Sequence, residues 1–463
     1  MSDKICSKSL NIAYIGGGSR AWAWTFMTDL ALEPELGGVI RLYDIDGAAA
    51  ESNEIIGNRI SSLPQARGAW RYVTSPTLRD ALAGADFVII SILPGTFEQM
   101  KSDVHLPERL GIYQSVGDTT GPGGIIRALR TVPVFAGFAE AIRDWAPDAW
   151  VINYTNPMSL CVRTLYHIFP KIKAFGCCHE VFGTQSLLAA MVARELGENA
   201  ERGDIHVNVL GLNHFTWFDR ASYRGHDLMD MYARFAGEFY ETGFPNGGDA
   251  PDKSFTCINR VKFDLFRRCG WLAAAGDRHL AEFMPGGLYL KTPQTAESWG
   301  FYLTGVDWRE KDLKRRLAKS AELVSGEREI VLNPSGEEGI LLIKALCGLT
   351  RAVSNVNLPN TAGQISNLPR ETVVETNALF SFNDVRPVMA GELTGDILKL
   401  TEPHAENQSE TLRAALNPDR DSVYRAFGRD PLVRGRCSDC ELRGLADDMI
   451  ENTLDYLPAG WRK

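Results

Sequence analysis

The chain has 463 residues, a formal net charge of -9, 44% hydrophobic residues and 23% charged residues. This balance is typical of a globular enzyme, and the length predicts two domains. The acidic balance and the lack of any long Lys/Arg run exclude nucleic acid as an expected partner. No apolar stretch reaches the roughly 18 residues of a membrane span, so no membrane association is expected.

The N-terminal segment MSDKICSKSL lacks the apolar core of a signal peptide, which predicts a cytoplasmic enzyme. Nine cysteines cannot all pair with one another, and the sequence has no export signal. Both observations favour reduced thiols. Cys437 and Cys440 form a C-x-x-C pair in a charged segment. One such pair is only half of a zinc site, so we interpret both residues as ordinary thiols.

Short apolar segments alternate with helical stretches along the first part of the chain. The predicted strands are Asn11–Ile15, Gly38–Tyr43, Asp86–Leu93, Trp150–Tyr154 and Ile172–Gly176, and Ile205–Leu212 is a further predicted strand in the later region, where the alternation fades. Near-continuous apolar strands separated by helices predict a parallel sheet covered on both faces, which is the doubly wound α/β fold. We expect an N-terminal domain over residues 1–200 and a mixed α/β domain over residues 201–463, which includes a helix at Lys311–Ser325. A cleft should lie between them.

A glycine-rich turn follows the first predicted strand and fits the pattern G-x-G-x-x-A. It contains Gly16, Gly17, Gly18 and Ser19. These glycines let the backbone approach a pyrophosphate at the start of the next helix, as in a Rossmann-like domain. Asp44 ends the second strand, where a carboxylate accepts hydrogen bonds from a ribose and repels a 2′-phosphate, so NAD is favoured over NADP. Asp46 is the weaker candidate for this role.

Amide side chains lie at the end of the fourth predicted strand, where ligands bind in open parallel sheets. Asn153 and Asn156 could bind sugar hydroxyls without adding charge. Asn156 could also form an Asx turn before Pro157, and the two roles are compatible.

Two later strands end in residues that can bind a metal, Cys178-His179 and Asn213-His214. A thiolate and an imidazole together suit Mn²⁺, Fe²⁺, Co²⁺ or Zn²⁺ and leave positions open for substrate. A buried cysteine and a structural histidine that bind no metal would give the same sequence pattern. The segment Asp277, Arg278 and His279 adds a carboxylate, a guanidinium and an imidazole, unless it is a polar loop in which Asp277 only caps the following helix.

Six motifs together resemble glycoside hydrolase family 4 and span nearly the whole chain. They are IAYIGGGS, VGDTTGPGGIIRALR, NYTNPMS, GCCHEVFGTQ, GLNHFTWF and GDRHLAEF. The resemblance implies a fold like that of lactate and malate dehydrogenases. It also implies NAD and a divalent metal as cofactors, with Mn²⁺ expected or another ion such as Fe²⁺ or Co²⁺.

Residue roles follow from the resemblance at the matching positions. Cys178 and His214 would bind the metal, and His179, after the metal-binding Cys, would be the proton donor. Much of the family uses a Tyr as proton acceptor, but residues 265–285 contain none, so Asp277 takes that role by analogy. Asn156 would face the substrate, and Asn153 and Asn213 are further substrate-binding candidates.

The sequence Cys-His-Glu-Val at Cys178–Val181 most resembles the α-galacturonidases of the family. The implied reaction oxidises C3 of the sugar, eliminates across C1 and C2, adds water and reduces C3 again. The substrate would be an α-galacturonide oligosaccharide from pectin. We expect Arg278 to bind the C6 carboxylate, because a guanidinium matches a carboxylate with two parallel hydrogen bonds.

Alternatives remain open from the sequence. The substrate could be an α-glucuronide or an α-galactoside within the same family. A plain NAD-dependent hydroxy-acid dehydrogenase would accumulate NADH with product, whereas the hydrolase regenerates NAD. A non-enzymatic NAD sensor would not need the Cys178, His214 and Asp277 set. Relatives of this kind form homodimers or homotetramers, and the same is expected here.

Overall fold

A computed structural model describes residues 8–245 and 255–462, so most of the N-terminal segment used above lies outside the described residues. The strands are β1 Lys8–Ile15, β2 Leu36–Tyr43, β3 Ala69–Thr74, β4 Phe87–Ile90, β5 Trp150–Asn153, β6 Lys173–Gly176, β7 Ile205–Leu212, β8 Phe215–Tyr223, β9 His226–Asp227, β10 Leu272–Ala273, β11 Ala352–Pro359, β12 Val373–Ser381 and β13 Asp384–Pro387. The helices are α1 Trp22–Leu32, α2 Gly47–Ser62, α3 Leu78–Leu82, α4 Phe97–His105, α5 Gly121–Trp145, α6 Met158–Ile168, α7 Glu180–Leu196, α8 Met229–Glu238, α9 Arg260–Cys269, α10 Asp277–Glu282, α11 Pro293–Ser298, α12 Val306–Ser325, α13 Gly339–Leu346, α14 Gly395–Leu416, α15 Arg420–Arg429 and α16 Asp439–Glu451.

The main sheet has nine strands in the order β13-β12-β11-β6-β5-β4-β1-β2-β3. Strands β1 to β6 pair in parallel, so the predicted doubly wound fold is confirmed. Strand β3 was not predicted, because its buried residues alternate with exposed ones instead of forming a continuous apolar run. Strands β11 to β13 join antiparallel beside β6.

A second, smaller sheet is built around the hairpin of β7 and β8, with β10 and β9 both pairing with β8. Leu212 pairs with Phe215, so Asn213 and His214 form a two-residue hairpin turn. His214 has a φ of 65°, which is a left-handed conformation and an uncommon one for a residue with a Cβ. The turn therefore fixes the direction in which the His214 side chain leaves the backbone.

The two sheets contact each other through polar side chains of β12, which meet the backbone of β7 and the hairpin turn that follows it. The Asn377 amide donates to the Val207 carbonyl at 2.7 Å. The Asn213 amide donates to Glu375 at 3.3 Å. These contacts bring the hairpin turn towards the carboxyl end of β6, where Cys178 follows.

The domain boundary at residue 200 stays a prediction, and β11 to β13 from the later part of the chain complete the first sheet. The helix predicted at Lys311–Ser325 is α12, which begins earlier, at Val306. Within residues 8–245 and 255–462, no helix is long and apolar enough to cross a membrane.

Candidate active site

The glycine-rich turn connects β1 to α1 with very little space around it. Gly16 has a φ of 88°, and a Cβ there would lie 2.0 Å from the Ser91 carbonyl oxygen. A Cβ on Gly17 would lie 2.8 Å from the Leu42 Cβ. Glycine is therefore required by the packing of the turn itself, and the close approach of the backbone fits a dinucleotide pyrophosphate at the start of α1.

Asp44 lies directly after β2 and beside the glycine turn. Its Oδ2 accepts from the Gly18 N–H at 2.9 Å, and its Oδ1 accepts from the Asp46 N–H at 2.9 Å. Asp46 instead caps α2, accepting from the Ala49 N–H, and lies 3.7 Å from Arg20. The placement of Asp44 fits the predicted ribose contact.

The two asparagines after β5 have different surroundings. Asn153 is fully buried, and its amide donates to the Thr155 carbonyl and accepts from the Thr155 N–H, both at 3.0 Å. Asn156 keeps its side-chain oxygen without a hydrogen-bond partner among the described residues. Substrate binding stays a prediction for both, and the contacts favour Asn156.

The proposed metal ligands come from separate segments. Burial first, and then Glu375 and Glu180, raise the pKa of the Cys178 thiol well above its usual range. A bound cation would therefore be needed to hold this sulfur as a thiolate. Burial, followed by the neighbouring His279, lowers the pKa of His214 to about 3, so its imidazole is neutral, as a metal ligand must be.

Asn213 lies between the two proposed ligands. It hydrogen-bonds the Cys178 sulfur and donates to Glu375, and it directly precedes His214 in the hairpin turn. Its side-chain oxygen has no partner among the described residues. The structure thus brings the Cys178 and His214 segments together around this amide, and a substrate contact of Asn213 stays a prediction.

The donor set fits a divalent metal with open coordination positions. In the described part of the chain, no group of three or more His, Cys, Asp or Glu side chains is arranged to hold a metal. With Cys178 and His214 as its protein ligands, which stays a prediction, a metal would take water or substrate oxygens at the remaining coordination positions.

Glu180 connects the segment of Cys178 with the segment of Asp277. Its Oε2 accepts from the Gly276 N–H at 2.8 Å, and its Oε1 lies 3.5 Å from the His279 Nε2. The His279 ring in turn packs on the His214 ring, with centroids 3.9 Å apart. Burial acts to raise the pKa of Glu180, but His279 and the other nearby imidazoles hold that pKa well below its usual range.

His179, the predicted proton donor, is half-exposed beside the glycine turn. Its Nδ1 lies 3.1 Å from Glu337, and its ring packs on Trp22 with centroids 5.8 Å apart. The hydrogen bond with Glu337 raises the pKa of His179 to about 9, against the opposing effect of burial. The imidazole is therefore protonated at neutral pH, as a general acid must be.

Asp277, the predicted proton acceptor, is fully buried. Its Oδ1 accepts from the Lys262 N–H at 3.3 Å, so the carboxylate lies at the first turn of α9. Its Oδ2 has no hydrogen-bond partner in the described ranges. Burial raises the pKa of Asp277 above its ordinary value, with Lys262 acting in the opposite direction. The interpretation that Asp277 caps the following helix is wrong, because α10 begins at Asp277 with Gly276 as its N-cap and the carboxylate instead meets the start of the preceding helix α9. The catalytic role stays a prediction.

Arg278 is held at the edge of the same region. Its guanidinium donates to the Thr304 hydroxyl and lies 4.7 Å from the centroid of the Phe255 ring. The remaining guanidinium nitrogens could bind a carboxylate, so its role as the carboxylate anchor stays a prediction.

Family models for glycosyl hydrolase family 4 match two segments of the chain. The family 4 model covers residues 11–194, and the model of the C-terminal domain of the same family covers residues 209–433. Together they cover well over half of the sequence. The chain belongs to glycosyl hydrolase family 4.

Individual relatives agree with this family. An α-galacturonidase of Lachnoclostridium phytofermentans is 59% identical over 454 residues, which cover 98% of this chain and 97% of the relative. A crystal structure of a Bacillus subtilis protein described as a glucosidase matches with a TM-score of 0.90 and 49% identity, over 95% of this chain and 99% of the other. A 6-phospho-α-glucosidase from gut microorganisms, solved with NAD and Mn²⁺, shares the fold with a TM-score of 0.81 at 20% identity, over 97% and 99% of the two chains.

Several residues of this family 4 site were not singled out from the sequence. Asp118 and Thr119 lie in the quoted VGDTTGPGG motif, and Thr119 contacts the His214 Nδ1 at 3.0 Å. Burial acts to raise the pKa of Asp118, but Arg127 and the site histidines hold it well below its usual range. Glu337 and Glu375 belong to no quoted motif. Of these four residues, only Asp118 and Thr119 lie in a motif that could have marked them as site residues from the sequence.

Proposed function

We propose that this protein is an α-galacturonidase that depends on NAD and on a divalent metal such as Mn²⁺. The proposal is supported by family membership, by the α-galacturonidase that is 59% identical over nearly the full chain, and by the arrangement of the site. The α-linked galacturonide ends of pectic oligosaccharides would be the substrate.

One observation supports the reaction most directly. His179 packs on Trp22, the first residue of α1 after the glycine turn, and directly follows Cys178. This position, between the proposed dinucleotide site and the proposed metal ligands, supports His179 as the proton donor. A plain dehydrogenase needs no such donor at a glycosidic oxygen, whereas cleavage of a sugar–oxygen bond does.

NAD when bound would supply reversible removal of hydride from C3, and the metal would polarise the C2 and C3 oxygens, which together make the C2 proton acidic. Cys178 and His214 would hold the metal, and the Gly16–Ser19 turn with Asp44 would hold NAD. The half-buried Asn156 amide and the buried Asn213 amide would orient sugar hydroxyls beside these residues.

The chain's own acid and base would act at neighbouring sugar atoms. His179, held by Glu337, would donate its proton to the departing glycosidic oxygen as the C1–oxygen bond breaks. Asp277 would accept the C2 proton and return it after water has added to C1. The unpartnered Oδ2 of Asp277 and its raised pKa support this assignment, because both favour proton acceptance.

The experiment is hydrolysis of an aryl α-galacturonide by the full chain with NAD and Mn²⁺ under reductant. We expect turnover that stops with chelator, no net accumulation of NADH, and deuterium at C2 of the sugar released in D₂O. The matching α-galactoside and α-glucuronide should be poorer substrates. Preference for the neutral galactoside would overturn the choice of substrate, and NADH formed in step with product would overturn the hydrolase itself.

We further infer a cytoplasmic location and assembly as a homodimer or homotetramer. A reducing compartment suits Cys178, which must stay unoxidised to bind metal, and the eight described cysteines are all free of disulfides. Size-exclusion chromatography with light scattering tests the assembly, and a monomer at working concentration would contradict it.

A further inference from the structure

The second ring nitrogen of His214 belongs to a chain of hydrogen bonds. The Nδ1 of His214 lies 3.0 Å from the Thr119 hydroxyl, and that hydroxyl donates to the Asp118 carboxylate at 2.8 Å. Thr119 and His214 are 95 positions apart in the sequence, and His214 is 3% exposed. The contact therefore joins the loop before α5 to the hairpin of the smaller sheet inside the protein.

The donors and acceptors available to Asp118, Thr119 and His214 fix the direction of each hydrogen bond in this series. A hydroxyl has one proton, and an ionised carboxylate can only accept, so the Thr119 proton points to Asp118. The Thr119 oxygen must then accept from the His214 Nδ1–H. In a neutral imidazole this leaves the lone pair on Nε2, and a metal ion binds through such a lone pair.

We propose that Thr119, supported by Asp118, is a positioning residue that holds His214 in the tautomer and ring orientation required to bind the divalent metal. The inference rests on the proposed function, since it assumes that His214 is a metal ligand. Partners of this kind behind a metal ligand typically change metal affinity by about 10- to 100-fold when they are removed.

The adjacent threonine provides a matched control. Thr120 also contacts a buried histidine, because its hydroxyl lies 3.0 Å from the His404 Nδ1. The Nε2 of His404 faces the Phe283 carbonyl at 3.0 Å, so both nitrogens of that ring are engaged by the protein. Removing the Thr120 hydroxyl should therefore perturb a similar buried contact without touching His214.

The experiment measures the Kd for Mn²⁺ of the full chain with NAD present, from the electron paramagnetic resonance signal of free Mn²⁺. Thr119→Val should weaken Mn²⁺ binding about 10- to 100-fold, while NAD affinity stays unchanged. Thr119→Ser keeps the hydroxyl and should restore the wild-type Kd to within about threefold, and Thr120→Val should leave it unchanged. If Thr119→Val does not fold, Asp118→Ala replaces it, because it removes the acceptor of the Thr119 hydroxyl, and it should weaken Mn²⁺ binding in the same direction.

The outcomes separate this inference from the proposed function. If His214→Asn loses Mn²⁺ but Thr119→Val and Asp118→Ala bind it like wild type, the positioning role is wrong and the metal centre stands. Equal weakening by Thr119→Val and Thr120→Val would also overturn the role, because it would reflect a general loss of packing. If His214→Asn binds Mn²⁺ like wild type, both the metal centre and the inference fail.

Discussion

The dinucleotide site and the reaction site are built in different ways. The glycine turn and Asp44 lie within one β-α-β unit, and each supports the other through the Gly18 N–H. The reaction site instead combines segments around residues 118, 178, 213, 277, 337 and 375. The geometry of the local site depends on a few contacts between near neighbours in the sequence. The geometry of the dispersed site depends on the packing of every segment that contributes a residue.

The largest expected effect lies in the dispersed site. Cys178→Ser should abolish metal-dependent turnover while NAD binding is preserved, because a serine hydroxyl does not ionise to bind the metal. The control is Cys177→Ser at the preceding position, where the cysteine sulfur contacts Tyr154. Turnover is measured by substrate hydrolysis. Full activity of Cys178→Ser in metal-free buffer would show that the reaction does not depend on a metal bound by Cys178.

Asp277→Asn should lower kcat by about 10²- to 10⁴-fold, which is the usual contribution of a general base. It should suppress C2 deuterium exchange equally, while the cap on α9 survives because the Asn side-chain oxygen still accepts from the Lys262 N–H. Product NMR in D₂O measures the exchange, and the unfolding midpoint reports the cap. Exchange at the wild-type rate would assign the base to another residue.

Asp44→Asn tests the local site and should weaken NAD binding by about 10- to 100-fold, since it removes charge-assisted hydrogen bonds to the ribose. Asp46→Asn is the matched control, because Asp46 caps α2 and should change NAD affinity less. Titration calorimetry measures both. An equal loss of NAD affinity in the two variants would mean that the negative charge of the loop after β2 matters and that a specific contact between Asp44 and the ribose does not.

Arg278→Ala should narrow the ratio of galacturonide to galactoside kcat/KM by about tenfold, with Arg278→Lys intermediate because it keeps charge without the planar fork. An unchanged ratio would exclude Arg278 as the carboxylate anchor while leaving the mechanism intact. This is the smallest effect, since Arg278 already donates to Thr304 and the substrate uses only its remaining nitrogens.

Much of the fold and part of the site could be predicted from local patterns. The apolar runs at Phe87–Ile90 and Trp150–Asn153 are buried in the parallel sheet, as predicted. The carboxyl end of β5 pairs with that of β6, Asn153 with Gly176, which brings Asn156 and Cys178 to one edge. Strand β3 and strands β11 to β13 were missed, because neither alternating burial nor antiparallel addition produces a continuous apolar signal.

The roles of Glu337 and Glu375 could not be predicted. Glu337 lies just before α13 and contacts His179, and Glu375 lies within β12 and contacts Asn213. Each is an ordinary acidic residue in the sequence, without a motif or a periodicity that marks it. Their environments arise only from packing, which buries Glu375 and raises its pKa to about 7 through desolvation.

The sequence by itself determined the family, the glycine turn, and the strand ends that carry Asn156 and Cys178. These features depend on contacts between near neighbours, such as backbone conformation at Gly16 and the termination of an apolar strand. Only the tertiary structure decided that Asp277 touches the first turn of α9, that Glu180 joins Gly276 to His279, and that Thr119 meets His214. Such pairs form between separate helices, turns and loops, and their geometry follows from how these elements pack.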